Sequence, residues 1–179
     1  MFKVDFSTEK KYWSFSTLYS GIYFGKMNIH AETDMINIAQ LNLNVKAKND
    51  YNVGLSCTHV SNTETFAYGL MIGEGEHQLN FYIAASGSYQ IFEGEKIITG
   101  WNKSATIKTK NNQVNRLEIF NSGSSCKFYI NGELVYEYTF MVAPFYNKML
   151  ISLMVSQKQK IEFDDVLVKG TYEQPMFVK

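Results

Sequence analysis

The fold is decided by one stretch of the sequence, Cys126-Lys127-Phe128-Tyr129-Ile130-Asn131-Gly132-Glu133-Leu134-Val135-Tyr136. Apolar residues take every second position on either side of its centre, which is the period of a β-strand with one buried face. The central Asn131-Gly132 supplies the two positive φ angles that a type I′ turn requires. The stretch therefore predicts an antiparallel β-hairpin.

The same alternation recurs along most of the chain, and no segment shows a sustained period of 3.6 residues. Turn residues separate the alternating runs at intervals of about ten residues, the spacing typical of a sandwich or barrel. We therefore expect about twelve strands in all. The runs outside the hairpin occupy residues 27–31, 41–47, 53–57, 68–72, 79–83, 117–119 and 161–163.

The composition is that of a globular domain. The chain has 179 residues, of which 45% are hydrophobic, and a single fold of this size buries roughly 70% of its unfolded surface. It contains only 2 prolines, so disordered and collagen-like classes are excluded. We expect an all-β fold, a two-sheet antiparallel β-sandwich over residues 1–170, followed by a C-terminal tail or linker stub at 171–179.

Two changes of phase predict irregular strands. The alternation shifts across Asp164-Asp165, which indicates a β-bulge or a strand that changes the face it shows. A similar shift separates Ile36 and Ile38 from Leu41.

Other patterns indicate buried positions. Residues 149–155 are apolar at both parities, so we expect a central strand covered on both sides, with an N-terminal segment carrying Trp13 and Phe15 as its cover. Cys57 and Cys126 share a parity with apolar neighbours, which favours two buried thiols over a disulfide.

Charge and hydropathy narrow the classes of partner. Lysine plus arginine equals aspartate plus glutamate at 17 each, and Arg116 is the only arginine, so no nucleic-acid partner is expected. No apolar run approaches the length of about 20 residues that spans a bilayer, so no membrane insertion is expected. No signal peptide is visible, which indicates a cytoplasmic protein or an excised extracellular or periplasmic domain.

Three segments of the C-terminal half resemble bacterial concanavalin A-like lectin and glucanase modules of the laminin G-like type. They are Asn115-Arg116-Leu117-Glu118-Ile119, the hairpin start Cys126 to Glu133, and Ile161 to Val168. The resemblance implies a jelly roll of two antiparallel sheets. It also implies a superfamily in which some members bind sugars, some cleave them, and many are accessory domains of larger proteins.

Catalytic and metal-binding patterns are weak. In glucanases of this superfamily two glutamates bracket an aspartate on one strand, and the nearest match here, which begins at Glu32 and includes Asp34, has Asn37 in place of the second glutamate. We therefore expect no catalytic residues of this type. The histidines lack metal-ligand spacing and no CxxC occurs, so we expect no metal and no cofactor. They are His30, His59 and His77.

The positive functional indication is a set of polar and aromatic residues predicted on solvent faces. Asparagine amides suit hydroxyl recognition, and flat rings stack on sugars. A sandwich also exposes polar residues on its strands for no reason beyond solvation. The candidate ligand-binding residues are His30, Asn42, Asn44, Tyr82, Tyr89, Trp101 and Tyr129, with Asn28 beside them.

Three functional hypotheses remain open from the sequence. The leading one is a non-catalytic binding or accessory module with a carbohydrate or protein ligand. The first alternative is a glycoside-processing enzyme of the same superfamily, which a cleft with two carboxyls about 5 to 9 Å apart would favour. The second alternative is a structural domain that self-associates, although the sequence leaves the oligomeric state open.

Overall fold

The computed structural model describes residues 2–3, 6, 13–15, 20–31, 35–41, 50–60, 66–141 and 150–170. Within these ranges fifteen strands form two antiparallel sheets, and one short 3-10 turn spans Gly75–His77. No helix in this part of the chain has the length and hydropathy needed to cross a membrane.

The strands are short and follow one another closely along the chain. In chain order they are β1 (Phe2–Lys3), β2 (Trp13–Phe15), β3 (Ser20–Tyr23), β4 (Lys26–Ala31), β5 (Ile36–Leu41), β6 (Asp50–His59), β7 (Ala67–Ile72), β8 (Leu79–Ala84), β9 (Ser88–Glu93), β10 (Lys96–Lys103), β11 (Val114–Ser122), β12 (Ser125–Ile130), β13 (Glu133–Thr139), β14 (Ile151–Ser156) and β15 (Gln159–Gly170).

The two sheets have different strand orders. The eight-stranded sheet runs β13-β12-β11-β6-β15-β4-β3, with β1 beside β15, and the seven-stranded sheet runs β10-β9-β8-β7-β14-β5-β2. The predicted antiparallel sandwich is confirmed. The strand count exceeds the expected one because β1 to β3 have only 2 to 4 residues each, too few for a periodic signal.

The core lies between the inner faces of the two sheets. Phe81 of β8 and Phe128 of β12 are fully buried and meet edge to face, with ring centroids 5.3 Å apart. Burial of a large apolar side chain contributes roughly 1.5–3 kcal/mol, and an aromatic pair adds about 0.5–1.5 kcal/mol. This contact joins β8 of one sheet to β12 of the other.

The Asn-Gly hairpin forms as predicted between β12 and β13. Asn131 has a φ of 53° and Gly132 a φ of 85°, as a type I′ turn requires. The Asn131 side chain does more than turn the chain, because its Nδ2 donates to the Thr106 carbonyl oxygen at 2.6 Å and its Oδ1 accepts from the Arg116 amide at 2.8 Å. The hairpin therefore also anchors the loop before β11.

The predicted bulge at Asp164-Asp165 is confirmed. The register between β15 and β6 shifts between Asp164 and Leu167, and Asp165 has a φ of 50°. Arg116 Nη1 donates to the Asp165 carbonyl oxygen at 2.7 Å. The guanidinium crosses β6 above Gly54, where a Cβ atom would lie 2.6 Å from Nη2. Arg116, the only arginine of the chain, thus stabilises the bulge by hydrogen-bonding its backbone.

Two expectations for the seven-stranded sheet need correction. The β5 strand pairs with β14 without any register shift, and Asn37 faces inward while Ile36 is exposed, so the phase change predicted there is wrong. The β14 strand does lie centrally, between β5 and β7. Trp13 and Phe15 do not cover it, since β2 pairs with β5 at the sheet edge and Trp13 packs into the core.

The cysteines are two buried free thiols, as predicted. Burial raises the pKa of both Cys57 and Cys126, and it also raises the pKa of the core residue Tyr68. In the unfolded chain these groups ionise at their ordinary values, which are lower. At alkaline pH the folded protein therefore keeps protons that the unfolded chain has lost, so the free energy of unfolding depends on pH.

We expect the free energy of unfolding to fall as the pH rises above about 9, by up to about 1.4 kcal/mol per pH unit for each thiol. The sign follows from the raised pKa values: the stabilisation is complete below the unfolded pKa and is lost as the pH rises towards the folded pKa. Urea denaturation between pH 7 and 10.5 measures it. The double variant Cys57→Ala/Cys126→Ala should decline less steeply, and identical slopes would contradict the assignment.

Candidate ligand-binding strip on the outer face of the seven-stranded sheet

The structure distributes the predicted ligand residues over several surfaces. Asn42 and Asn44 lie outside the described residues. His30 on β4 and Tyr129 on β12 both alternate with core residues of the eight-stranded sheet, so both lie on its outer face. Three strands separate them, which at an interstrand spacing of about 4.8 Å places them roughly 19 Å apart. They do not form one site.

Tyr89 faces the interior, so the expectation that it lies on a solvent face is wrong. Its side chain is 7% exposed and meets Phe81 edge to face, with ring centroids 6.5 Å apart. Its hydroxyl donates to the Val135 carbonyl oxygen of the opposite sheet at 2.9 Å. Burial raises the pKa of this phenol. Tyr89 therefore closes the core near the sheet edge.

Tyr82 lies on the outer face of the seven-stranded sheet, together with residues that the sequence analysis did not select. The core residues of β8 and β9 occupy alternate positions, so Asn80 and Tyr82 on β8 and Gln90 and Phe92 on β9 point away from the core. Tyr82 pairs with Gln90, and Asn80 pairs with Phe92. The rings of Tyr82 and Phe92 lie 6.0 Å apart between centroids.

Trp101 extends this surface onto the edge strand β10. Thr99 pairs with Ile91 and Asn102 pairs with Tyr89, so two residues, Gly100 and Trp101, stand opposite the one residue between those partners. Such a bulge changes the direction of the side chains in it. Trp101 is 48% exposed. We call the outward residues of β8 and β9 together with this adjacent tryptophan the outer strip: Asn80, Tyr82, Gln90, Phe92 and Trp101.

The Asn80 amide is the unusual group of the outer strip. Its side chain is 8% exposed although it points away from the core, and its Oδ1 is buried without a hydrogen-bond partner in the part of the chain that the structure describes. A buried acceptor that lacks a donor costs about 1–3 kcal/mol. The buried amide of Asn115 is the contrast, because its Oδ1 and Nδ2 form a reciprocal pair with the backbone of Lys108, each at 2.9 Å.

Tyr82 presents a neutral phenol in this strip. Burial raises its pKa, so the hydroxyl stays protonated throughout the physiological range and remains able both to donate and to accept a hydrogen bond. The rings of Tyr82, Phe92 and Trp101 supply apolar area around the amides of Asn80 and Gln90. A ligand with hydroxyl groups and an apolar face matches this mixture.

A groove lies at the end of β8 and β9, next to the strip. It has a volume of about 630 Å³, and we call it the turn groove. Within it Glu93 is fixed at both oxygens, since Oε2 accepts from the Tyr138 hydroxyl at 2.8 Å and Oε1 lies 3.3 Å from His77 Nδ1. Its lining residues are Gly75, Glu76, Gln78, Glu93, Gly94, Glu95 and Lys96.

A second groove lies on the eight-stranded sheet. Its volume is about 440 Å³, and it contains Asn28 and the ion pair of Lys26 with Glu162, whose Nζ and Oε2 atoms lie 3.4 Å apart. Among the described residues no three histidine, cysteine, aspartate or glutamate side chains are grouped to ligate a metal. The trio around Glu32 and Asp34 lies outside those residues, and Asn37 faces the core.

Sequence alternation alone could have located most of the strip. Asn80 stands two residues before Tyr82, and Gln90 and Phe92 alternate with Ile91, so assigning these two segments as strands places all four residues at outward positions. The signal for Trp101 is weaker, because its position depends on a bulge that only the register reveals. The turn groove has no sequence signal, since two separate turns form it.

We expect Asn80→Leu to raise the free energy of unfolding by about 1 kcal/mol, because it removes a buried acceptor that lacks a donor among the described residues. The matched control is Asn115→Leu, which breaks the two bonds with Lys108 and should lower that free energy by about 2 kcal/mol or more. Chemical denaturation measures both. A loss of stability in Asn80→Leu similar to that in Asn115→Leu would refute an unsatisfied amide.

Comparison with known proteins identifies the fold. No family model and no curated protein matches the sequence. Among solved structures, the chain is similar to the carbohydrate-binding module CBM66 from Bacillus subtilis, with a TM-score of 0.66, 13% identity, and coverage of 89% of this chain and 96% of that one. It is also similar to an endo-beta-1,3-glucanase from Pyrococcus furiosus, with a TM-score of 0.70, 13% identity, and coverage of 94% and 92%.

A third solved structure supports the same fold. It is a Bacillus subtilis protein of unknown function with a galectin-like fold, with a TM-score of 0.69, 9% identity and coverage of 97% of both chains. Identities this low support a shared fold and not a shared activity. The chain has the concanavalin A-like jelly-roll sandwich fold that the residues of its C-terminal half predict.

Proposed function

We propose that this chain is a non-catalytic carbohydrate-binding module whose ligand lies across the outer strip. The observation that carries the proposal is the pair of rings of Tyr82 and Phe92, whose centroids lie 6.0 Å apart on an outward face, beside the indole of Trp101, which is 48% exposed. The C–H face of a sugar ring would pack on this aromatic surface, and the Gln90 amide and the Tyr82 hydroxyl would hydrogen-bond its hydroxyl groups.

The dimensions and chemistry of the strip support an extended ligand. It crosses three adjacent strands, which at about 4.8 Å per step gives a width of about 10 Å. Amides and a neutral phenol provide donors and acceptors, and Trp101 at the edge leaves about half of its surface open. Such a surface is shallow, and a shallow aromatic surface is suited to a chain of sugar units more than to a small compact molecule.

The choice of binding over hydrolysis rests on the side chains of the strip. Glycosidases use a pair of carboxyl groups on either side of the scissile bond. The five residues of the strip carry two amides and three aromatic rings and no carboxyl group. Solved structures of this fold include both a carbohydrate-binding module and a glucanase, so the fold itself is compatible with both functions.

Glycoside hydrolysis is the second candidate, and one observation favours it. The turn groove at the end of the strip contains the carboxylates of Glu76, Glu93 and Glu95. A hydrolase would release new reducing ends from an oligosaccharide that binds the strip. A binding module would return the oligosaccharide unchanged, as this proposal expects.

We expect the protein to bind oligosaccharides on a glycan array and Trp101→Ala to weaken any such binding at least tenfold in calorimetry, because aromatic stacking contributes a large part of sugar affinity. Tyr82→Ala should act likewise. The matched control is Tyr129→Ala, which removes the same ring from the other sheet and should leave affinity unchanged.

Other results would count against the outer strip. Affinity lost in Tyr129→Ala and retained in Trp101→Ala would place the ligand on the eight-stranded sheet. An array without reproducible binding would contradict a carbohydrate ligand. Release of reducing ends would favour the enzyme.

A further inference from the structure

The groove on the outer face of the eight-stranded sheet lies beside the hairpin of β3 and β4, and we call it the hairpin groove. Its volume of about 440 Å³ falls within the range of roughly 300–1,000 Å³ that is typical of small-molecule sites. The residues that line it come from three adjacent strands and from the turn between two of them. They are Tyr23, Phe24, Lys26, Asn28, Lys160 and Glu162.

The ring of Tyr23 is supported by the sheet and open to solvent. Residues two apart in a strand share a face, and Tyr23 folds back over Gly21 of its own strand, where a Cβ atom would lie 3.0 Å from the ring carbon Cε2 and 3.3 Å from the hydroxyl oxygen. The glycine therefore leaves the space that the ring occupies. Tyr23 is nevertheless 63% exposed, so the side of the ring that faces away from Gly21 is available for stacking.

Polar side chains continue the row that begins with this ring. Gly21 pairs with Asn28 on β4, and Asn28 pairs with Glu162 on β15, so the ring, the amide and the carboxylate lie side by side over a width of about 10 Å. The Asn28 Nδ2 donates to the Lys26 carbonyl oxygen at 3.3 Å, which holds the amide in place. Lys26 Nζ in turn lies 3.4 Å from Glu162 Oε2. These groups are thus positioned before a ligand arrives.

The ion pair of Lys26 with Glu162 is accessible from the groove. Their side chains are 43% and 27% exposed, and a pair this exposed contributes little to folding stability. The contact uses one of the two carboxylate oxygens and one of the three ammonium hydrogens. A hydroxyl group both donates and accepts, so it matches the pair, whereas a ligand charge of either sign would meet a like charge there.

The tip of the hairpin is an independent indication of a ligand. Phe24 and Gly25 have φ angles of 51° and 75°, close to the 53° and 85° of Asn131 and Gly132, so both turns have the φ pattern of type I′. Asparagine is favoured at the first position of such a turn, and a bulky residue there is strained. Phe24 is also fully exposed. Strain of this kind is concentrated at ligand sites, and here it places a second ring at the rim of the groove.

We propose that the hairpin groove binds one unit of a neutral sugar, with the C–H face of the sugar ring on Tyr23 and with Phe24 at the rim. The hydroxyl groups of the sugar bond the Asn28 amide and the ion pair of Lys26 with Glu162. The site is separate from the outer strip and shares with it only the class of ligand. Because the two sites lie on opposite sheets, one module holds two sugar chains at once.

An NMR titration of the isotope-labelled protein with the methyl glycosides of glucose, galactose and mannose tests the groove. We expect at least one glycoside to produce saturable shifts at the backbone amide of Gly21 and the side-chain amide of Asn28, with a dissociation constant of roughly millimolar order, since one sugar unit makes few contacts. Tyr23→Ala should weaken this binding at least about fivefold, because it removes the stacking surface. Tyr23→Phe keeps the ring and should retain more of the affinity than Tyr23→Ala.

Phe24→Asn separates binding from stability. It gives this tip the residue that Asn131 supplies in the other hairpin, so the urea midpoint of unfolding should rise, while the loss of the ring should weaken glycoside binding. The matched control is Tyr129→Ala, which removes a ring from the same face of the sheet, five strands away, and should leave glycoside binding unchanged. Unchanged glycoside binding in both Tyr23→Ala and Phe24→Asn would overturn the site.

The failure of the hairpin groove is distinguishable from that of the outer strip. Shifts at Gly21 that persist in Trp101→Ala, with no loss of oligosaccharide affinity in that variant, would support the groove and reject the strip. Oligosaccharide binding that is lost in Trp101→Ala, with no shift at Gly21 from any of the three glycosides, would support the strip and overturn the groove. Dimerisation that Phe24→Asn abolishes, again without glycoside shifts, would assign the tip to a second copy of the chain and overturn the sugar site.

Discussion

The contact of Phe81 with Phe128 across the core determines which face every neighbouring residue shows. Because side chains in a strand alternate with a period of two, burying Phe81 forces Asn80 and Tyr82 outward, and a slip of one residue would exchange them. Hydrogen bonding to β9 then carries the same alternation to the next strand. The outer strip is therefore a consequence of core packing.

The sequence predicts where most strands lie and which of their residues face the core. It does not predict the order of the strands within each sheet. The Asn131-Gly132 turn and the Asp164 bulge have local signals, in the φ angles they require and in the shifted parity. The solvent-facing position expected for Tyr89 is wrong because a tyrosine is both apolar and polar: its ring packs in the core, and its hydroxyl reaches the other sheet. The strand order joins segments distant in sequence, and no local pattern encodes it.

The asparagine side chains of this fold differ in how fully they are hydrogen-bonded. Asn115 and Asn131 are bonded to the backbone and to each other, with Asn131 Nδ2 at 3.0 Å from Asn115 Oδ1, and together they fix the loop before β11. The Asn80 side chain is also largely buried, and its oxygen lacks a partner among the described residues, as does the Oδ1 of Asn52. An unpaired buried acceptor is therefore not by itself a mark of a binding site, and the case for the outer strip depends on its aromatic rings.

The edge strand β10 is the place where a second copy of the chain could pair with the seven-stranded sheet. An exposed edge strand with Ile97 and Trp101 is a template for pairing with a second copy. Here lysines occupy both ends of the strand, and two shifts of register interrupt it, so few consecutive backbone groups are available to a partner strand. The same bulge that disfavours pairing leaves the indole of Trp101 open. An edge unsuited to strand addition is thereby available for stacking against a ligand.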